Sequence, residues 1–294
     1  FLYPVTMTSY TKEKFYVASS FTVGSSETLT FTGCDLVFAP GVEVTVENGG
    51  TLNIDFDPTT PITPSHLFSC DEMWQGITVM PGGTLTIEGE NVSVPDDARY
   101  CKIENALVAI KGEGDGTTTS DVPEIYVNQV SFNSNMISIE LLDDDFATTD
   151  IMQCLFECDG EILTKAPHQG DYPQNHILLE NALNVEIGSG GNQNNVFKDI
   201  YSGIKVISSD LTMVKGEFIN LVNNNGVTPA KGFGIIALNN TNTPYDLDID
   251  SRFNNLSRGI FSRGNFNINI HDLEYFRDID DVAIALFHFN YAND

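Results

Sequence analysis

Val44-Thr45-Val46-Glu47-Asn48-Gly49-Gly50-Thr51-Leu52-Asn53-Ile54 and Ile77-Thr78-Val79-Met80-Pro81-Gly82-Gly83-Thr84-Leu85-Thr86-Ile87 are two copies of one pattern, set 33 positions apart. Each reads as a short alternating strand, a Gly-Gly turn and a second alternating strand. Self-similarity at a period of roughly 20 to 50 residues marks a solenoid, because one such unit cannot bury its apolar side alone and must stack on its neighbours.

The theme continues in looser form at Gly76-Ile77-Thr78-Val79, Leu107-Val108-Ala109-Ile110, Met136-Ile137-Ser138-Ile139, Gly203-Ile204-Lys205-Val206, Gly234-Ile235-Ile236-Ala237, Gly259-Ile260-Phe261 and Val282-Ala283-Ile284-Ala285. Phenylalanines precede many of these, at Phe132, Phe156, Phe197, Phe218, Phe253 and Phe276, most of them 21 to 35 residues apart. Inward side chains at a common coil position lie above one another, so these rings are expected to form an internal column. Between the strands lie Asn192-Gln193-Asn194-Asn195, Asn223-Asn224-Asn225-Gly226 and Asn239-Asn240-Thr241-Asn242. Such residues tolerate the left-handed backbone of tight corners.

No long segment has the 3.6-residue period of an amphipathic helix. The sequence therefore predicts an all-β protein, a right-handed parallel β-helix forming one elongated domain over residues 1–294, with residues 1–30 as its first coil or cap. An all-β sandwich is the competing architecture, but a Greek key has no need of an in-phase repeat.

One resemblance adds to this. Cys70-Asp71-Glu72-Met73-Trp74-Gln75-Gly76-Ile77-Thr78-Val79, followed by Gly82-Gly83-Thr84-Leu85-Thr86-Ile87, resembles a pattern in large secreted β-helical proteins of Bacteroidota, many of them exported by a type IX system. Upstream, Leu29-Thr30-Phe31-Thr32-Gly33-Cys34-Asp35-Leu36-Val37-Phe38 resembles the coil that precedes this element in those proteins. The likeness covers residues 21–110; beyond them only the generic pectate-lyase-like β-helix repeat carries on. It implies a surface-exposed or secreted scaffold and implies no activity, since such proteins share no catalytic motif that maps onto this chain.

Composition narrows the function. Hydrophobic residues make up 41% of the 294, enough for a continuous core. Asp and Glu number 41 against 14 Lys and Arg, a formal net charge of -27. Such a field repels phosphate backbones and anionic membranes, which argues against nucleic acid as a partner. No run of 18 apolar residues is available to span a bilayer as a helix. Phe1-Leu2-Tyr3-Pro4 lacks the charged start of a signal peptide, and Tyr291-Ala292-Asn293-Asp294 follows a strand-like run, so the chain reads as a processed protein or a piece of a longer one.

Cys34, Cys70, Cys101, Cys154 and Cys158 form no CxxC pair, which argues against zinc and for extracellular disulfides. Stepping back one 33-residue repeat from Cys70 lands three positions from Cys34. Cys34–Cys70 is therefore the expected bridge, preferred over Cys70–Cys101, and Cys154 and Cys158 are near enough to close a local loop.

Asp246-Leu247-Asp248-Ile249-Asp250 puts three carboxylates on one strand face, about 6.5 to 7 Å apart, so a calcium ion there needs help from adjacent coils. A solvated face is the simpler reading, and Asp143-Asp144-Asp145 reads as an acidic loop. Lyases built on β-helices pair carboxylate-bound calcium with an Arg or Lys base, and polysaccharide hydrolases use paired carboxylates. Arg252, Arg258, Arg263 and Arg277 cluster in sequence near Asp248, Asp250, His271 and Tyr275. An enzyme reading assigns catalysis to Asp248, Arg258 and Arg263; surface ion pairing is the plainer account. His168, His176 and His288 read as ordinary turn or strand residues, and Trp74 as core packing ahead of a binding platform. Sequons at Asn91, Asn239 and Asn255 are weak signals.

The expected function is a non-catalytic, secreted or cell-surface structural or adhesive module that displays loops, spaces domains or self-assembles. Its partners would be other domains, copies of itself or surface glycans, with calcium the one cofactor its oxygens suggest. The alternative is a carbohydrate-active enzyme, lyase or glycoside hydrolase, with its site on an outward sheet face of the second half.

Overall fold

In the computed structural model, which describes residues 8–90, 99–116, 121–159, 162–188, 194–199, 201–219, 222–223, 230–271 and 276–287, the chain winds into ten stacked coils of three short strands. Alternation is what makes this possible. In Thr51–Asp55 and Thr84–Glu88 the leucine and isoleucine are buried while the residues between them point outward. Corresponding strands of successive coils pair in parallel and build three faces. The first face runs from Ser9–Thr11 to Phe266–Ile270, the second from Lys14–Val17 to Phe276–Arg277, and the third from Phe21–Val23 to Val282–Phe287. Leu211–Ile219 and Tyr245–Asn254 run through the corner between the first two, joining them into one 18-stranded sheet beside the separate 10-stranded third face. This is a parallel β-helix. Among the described residues its one antiparallel ladder is a side hairpin, Val222–Asn223 against Ala230–Lys231.

The 33-residue repeat is a structural register: Val44 pairs with Ile77 and Thr51 with Thr84. Its Gly-Gly turns have a steric cause. Gly49 and Gly82 hold φ at 74° and 76°, and a Cβ on Gly50 or Gly83 would sit 2.4 or 2.6 Å from the Val23 or Val46 carbonyl oxygen.

The phenylalanine column forms as expected. Phe132, Phe156, Phe197, Phe218, Phe253 and Phe276 stack along the second face at centroid separations of 5.0, 4.7, 4.6, 4.9 and 4.7 Å, with planes within 11° of parallel. Leu36, Leu67 and Ile103 continue it toward the N-terminus. Across the core, the third face makes room for the rings. A Cβ on Gly203, Gly234 or Gly259 would lie 2.6, 2.6 or 2.4 Å from Phe218, Phe253 or Phe276. Beside these glycines Ile77, Ile110, Ile139, Ile177, Ile204, Ile235, Ile260 and Ile284 form a second continuous column.

Polar residues occupy the tight corners, although not the Asn-rich runs read from the sequence, of which 192–193 and 224–226 lie outside the described residues. Asn105, Ser134, Asp199, Asn255 and Asp278 occupy one corner with φ between 49° and 61°. Buried Asn135 accepts from the Ala106 N–H at 2.8 Å and donates to the Ile103 carbonyl at 2.9 Å. Asn195 does the same for the Cys154 N–H and the Ile151 carbonyl. Backbone groups that the turn removes from the ladders are thereby satisfied without water.

The disulfide expectation is overturned: all five cysteines are free. Asp35 pairs with His66, so the local offset is 31 residues and the neighbour of Cys34 is Ser65, whose hydroxyl accepts the Cys34 N–H. Cys70 lies five residues further, about 16 Å along the strand direction and outside the roughly 4.4 to 6.8 Å Cα window of a disulfide. Cys34, Cys101 and Cys154 do share one corner column, but Ser65 and Val130 stand between them, which leaves successive thiols two coils, about 9.6 Å, apart. Cys154 and Cys158 flank opposite ends of Leu155–Glu157.

One connection departs from the tight-corner rule. Residues 162–174, between the second and third strands of the sixth coil, reach back to the third coil, where the Met73 N–H donates to the Ala166 carbonyl at 2.7 Å and the Lys165 ammonium bonds the Cys70 carbonyl. Cys158 and Leu163 bury themselves there with Met73, Leu107 and Met136, one residue group from each coil crossed.

Phe197→Ala removes a ring stacked on both sides, and the expected cost is about 3 to 5 kcal/mol. Chemical denaturation measures it, and a loss under about 1 kcal/mol, the scale of a tolerated core swap, would show that the column does not hold the coils together. Thiol titration of the native protein should label Cys70 alone, because Cys34, Cys101, Cys154 and Cys158 are at most 1% exposed. A Cys34–Cys70 peptide in a non-reducing digest would contradict this arrangement.

Candidate functional site

The same alternation that turns each second-face phenylalanine inward turns the residue after it outward. Asn133, Glu157 and Lys198 therefore share an outward column with Glu104, which follows Ile103. Beside it runs a second column of His66, Lys102 and Ser131. Together they make a row of ionisable and amide groups across coils three to seven.

The row is closely bonded. His66 Nε2 lies 2.9 Å from Glu104 Oε2, and the Asn133 amide donates to Glu104 Oε1 at 3.5 Å and to Asp159 Oδ2 at 2.8 Å. Lys198 pairs with Glu157 at 2.5 Å. The His66 ring stacks on Phe68 at 4.2 Å. Burial pushes the Glu104 carboxyl up, but the His66 hydrogen bond, the charges of His66 and Lys102 and the Asn133 amide outweigh it and hold the group below the ordinary glutamate value. Burial likewise disfavours charge on Lys198, and its bond to Glu157 together with Asp199 and Asp159 keeps its pKa raised.

The floor of this row is recessed. Ser131, Leu155 and Glu157 face outward yet are only 1%, 9% and 9% exposed. Connecting segments border it, 56–65, 89–90 and 99–100 on one side and 162–174 on the other. Alternating carboxylate, amide and ammonium groups next to an aromatic pair suit a hydroxyl-rich ligand, which both donates and accepts hydrogen bonds. Composition gave no sign of this row. Its sequence signal is positional, namely the residue that follows each inward Phe.

The late acidic and basic residues do not converge. Asp246, Asp248 and Asp250 point outward from the first face as expected, and Asp246 and Asp248 turn sideways to the next coil. Asp246 accepts from Asn267 at 2.8 Å, and Asp248 lies 2.7 Å from His271 Nε2. No group of three or more His, Cys, Asp or Glu side chains is arranged to hold a metal among the described residues. Arg258 and Arg263 lie at opposite ends of a third-face strand, on a different sheet from Asp248. Arg258 Nε donates to Asp281 at 2.6 Å. Arg252 and Arg277 belong to the second face. The trio Asp248, Arg258 and Arg263 is thus split by the corners of the coil, a consequence of counting proximity along the sequence when strands face different ways. Tyr275 lies outside the described residues.

Other candidates settle into structural roles. Trp74 is fully buried, stacked on Phe38 at 4.0 Å with its Nε1–H donated to the Glu104 carbonyl at 3.0 Å, so packing is its role. The Asn239 amide donates to the Thr243 and Asn265 carbonyls and the residue is buried in the folded chain. Asp143 and Asp145 accept corner amides from Asn181 and Asn184. His168 pairs with Asp171 in the 162–174 excursion. Asn91 and His288 lie outside the described residues. His176 is a strand residue as read, and it is buried: 1% exposed, tilted against Phe156 and Phe197, with Nε2 2.9 Å from the Lys198 carbonyl.

No family model matches this sequence, and neither the curated proteins nor the solved structures contain a significant match.

Burial pushes the His176 imidazole down to about 3, while the Lys198 carbonyl bond opposes this only in part. Its folded value thus lies below the ordinary 6.5, so the neutral ring keeps its full stability above pH 6.5 and loses it as pH falls from 6.5 toward 3. Replacing His176 with Gln should shrink the stability lost between pH 7 and 4.5 by roughly 2 to 3 kcal/mol. Denaturant titrations of both proteins at the two pH values measure this, and equal losses would show that the ring is protonated in the folded chain.

Proposed function

We propose that this chain is a non-catalytic rod module of a secreted or cell-surface protein, which presents its corner loops, spaces neighbouring parts of a larger protein or assembles with copies of itself. One observation carries the reading. The aromatic and isoleucine columns run through successive coils, whereas the residues first suspected of catalysis are divided between faces. Such a stack is stiff along its axis because each coil is fixed by both neighbours. The likeness of residues 21–110 to exported β-helical proteins of Bacteroidota agrees with a surface location, and the charge of -27 suits an exposed, well-solvated rod.

The second reading, a carbohydrate-active enzyme, draws its support from the recessed row around Glu104 and Glu157. These carboxylates stand two coils apart, about 9.6 Å at Cα, and inverting glycosidases hold theirs about 6.5 to 9.5 Å apart. Both carboxylates are already engaged, Glu104 by His66 and Glu157 by Lys198, which favours binding over chemistry at this row.

Incubation with acidic and neutral polysaccharides, with and without calcium, should yield neither unsaturated products nor new reducing ends. Turnover abolished by Glu104→Gln or Glu157→Gln would replace the scaffold reading with the enzyme, and turnover lost only with Asp248, Arg258 or Arg263 would move the active site to those residues.

A further inference from the structure

We propose that the third face of the last four coils is the surface through which two copies of this chain associate, sheet against sheet. The inference rests on the assembly reading above and names its surface.

Outward positions on this face change character along the rod. The column that carries Thr45, Thr78, Lys111 and Glu140 in the early coils carries Leu178, Ile236, Phe261 and Ala285 later, with Lys205 among them. The fold demands apolar residues only at inward positions, so nothing in the core requires this switch. Its result is an outward apolar surface of Phe233, Ile236, Leu238, Phe261, Val282 and Phe287, the last two 38% and 53% exposed.

The rings form a connected ribbon. Tyr201 meets Phe233 at 5.5 Å, Phe233 meets Phe261 at 6.3 Å, and Phe261 meets Phe287 at 5.6 Å. The Arg258 guanidinium lies 5.6 and 5.4 Å from the Phe233 and Phe261 centroids while its Nε bonds Asp281. Aromatic residues and arginine with few acids are the composition of protein interface centres.

Charge selects the partner. The strands Ser202–Ile207, Phe233–Leu238, Arg258–Arg263 and Val282–Phe287 contain Lys205, Arg258 and Arg263 and no Asp or Glu, in a chain of net charge -27. Two copies approaching through acidic surfaces repel, and this face spares them that contact. Four six-residue strands cover about 400 Å², so a paired face buries about 800 Å² in all, which places the dimer in the weak, concentration-dependent class. Twisted sheets pack face to face at about 10 Å, a geometry two identical faces can satisfy about a two-fold axis.

Sedimentation velocity over a range of protein concentrations, at low salt and at about 0.5 M salt, tests this. Dimer should increase with concentration and with salt, because salt screens the repulsion between two acidic chains and leaves the apolar contact in place. Phe261→Asp and, independently, the more exposed Phe287→Asp should each weaken association at least tenfold while the circular dichroism spectrum is kept. A chain monomeric under all these conditions, or a dimer indifferent to both substitutions, overturns the proposal. So does salt-sensitive capture of an acidic polysaccharide through the same residues, which would assign the face to a glycan. A catalytically inert monomer would defeat this inference and leave the rod reading standing, whereas polysaccharide turnover would defeat that reading alone.

Discussion

Parallel pairing between coils is the constraint on which the rest depends. Backbone donors and acceptors of each strand are met by the coil before and the coil after, so every residue stands directly over its counterpart about 4.8 Å away. A side chain is therefore judged by what stands above and below it. Phenylalanine persists above phenylalanine because the spacing of the coils is close to that of stacked rings, and each added ring contributes roughly 0.5 to 1.5 kcal/mol beyond its buried area. The glycines opposite follow from the same geometry, since a coil wide enough for a ring on one face must give up volume on another.

Register also explains what could and could not be read from the chain. The solenoid was legible because Gly49-Gly50 and Gly82-Gly83 repeat in phase with their flanking strands, and the phenylalanine column because its inward positions recur. The cysteine pairing failed because the coil length is not constant: a period of 33 holds for Thr51 and Thr84, but Asp35 meets His66 after 31. The shift widens the offset between Cys70 and the neighbour of Cys34 from three residues to five, past the far end of the strand. Catalytic grouping failed for a related reason. Asp248 and Arg258 are ten residues apart in sequence, yet that interval carries the chain from the first face to the third. Conversely, Glu104 and Glu157 belong to one column across 53 residues, and only the completed register reveals it. His176 is the strand residue the sequence suggested, but its burial was not legible, because Ser138 and Gly203 stand at the same position in the coils before and after it.

Outward positions are where the sequence is free to vary, and the three faces have used that freedom differently. The second face concentrates paired ions in a recess between long connections. The first displays carboxylates met sideways by asparagines of the next coil. The third becomes apolar and free of acids toward its last coils. A fold that fixes only its inner columns can thus carry several chemically distinct surfaces on one rod.

The excursion of residues 162–174 bears on how such a rod would yield to force. An ordinary solenoid transmits tension only between adjacent coils, so pulling on one end peels it a coil at a time. Here Ala166 is tied to Met73 across three coil boundaries, with Leu107 and Met136 packed beneath the strap. Parting coils three to six then also breaks this tie and uncovers those side chains, a cost that peeling of single coils elsewhere on the rod does not carry.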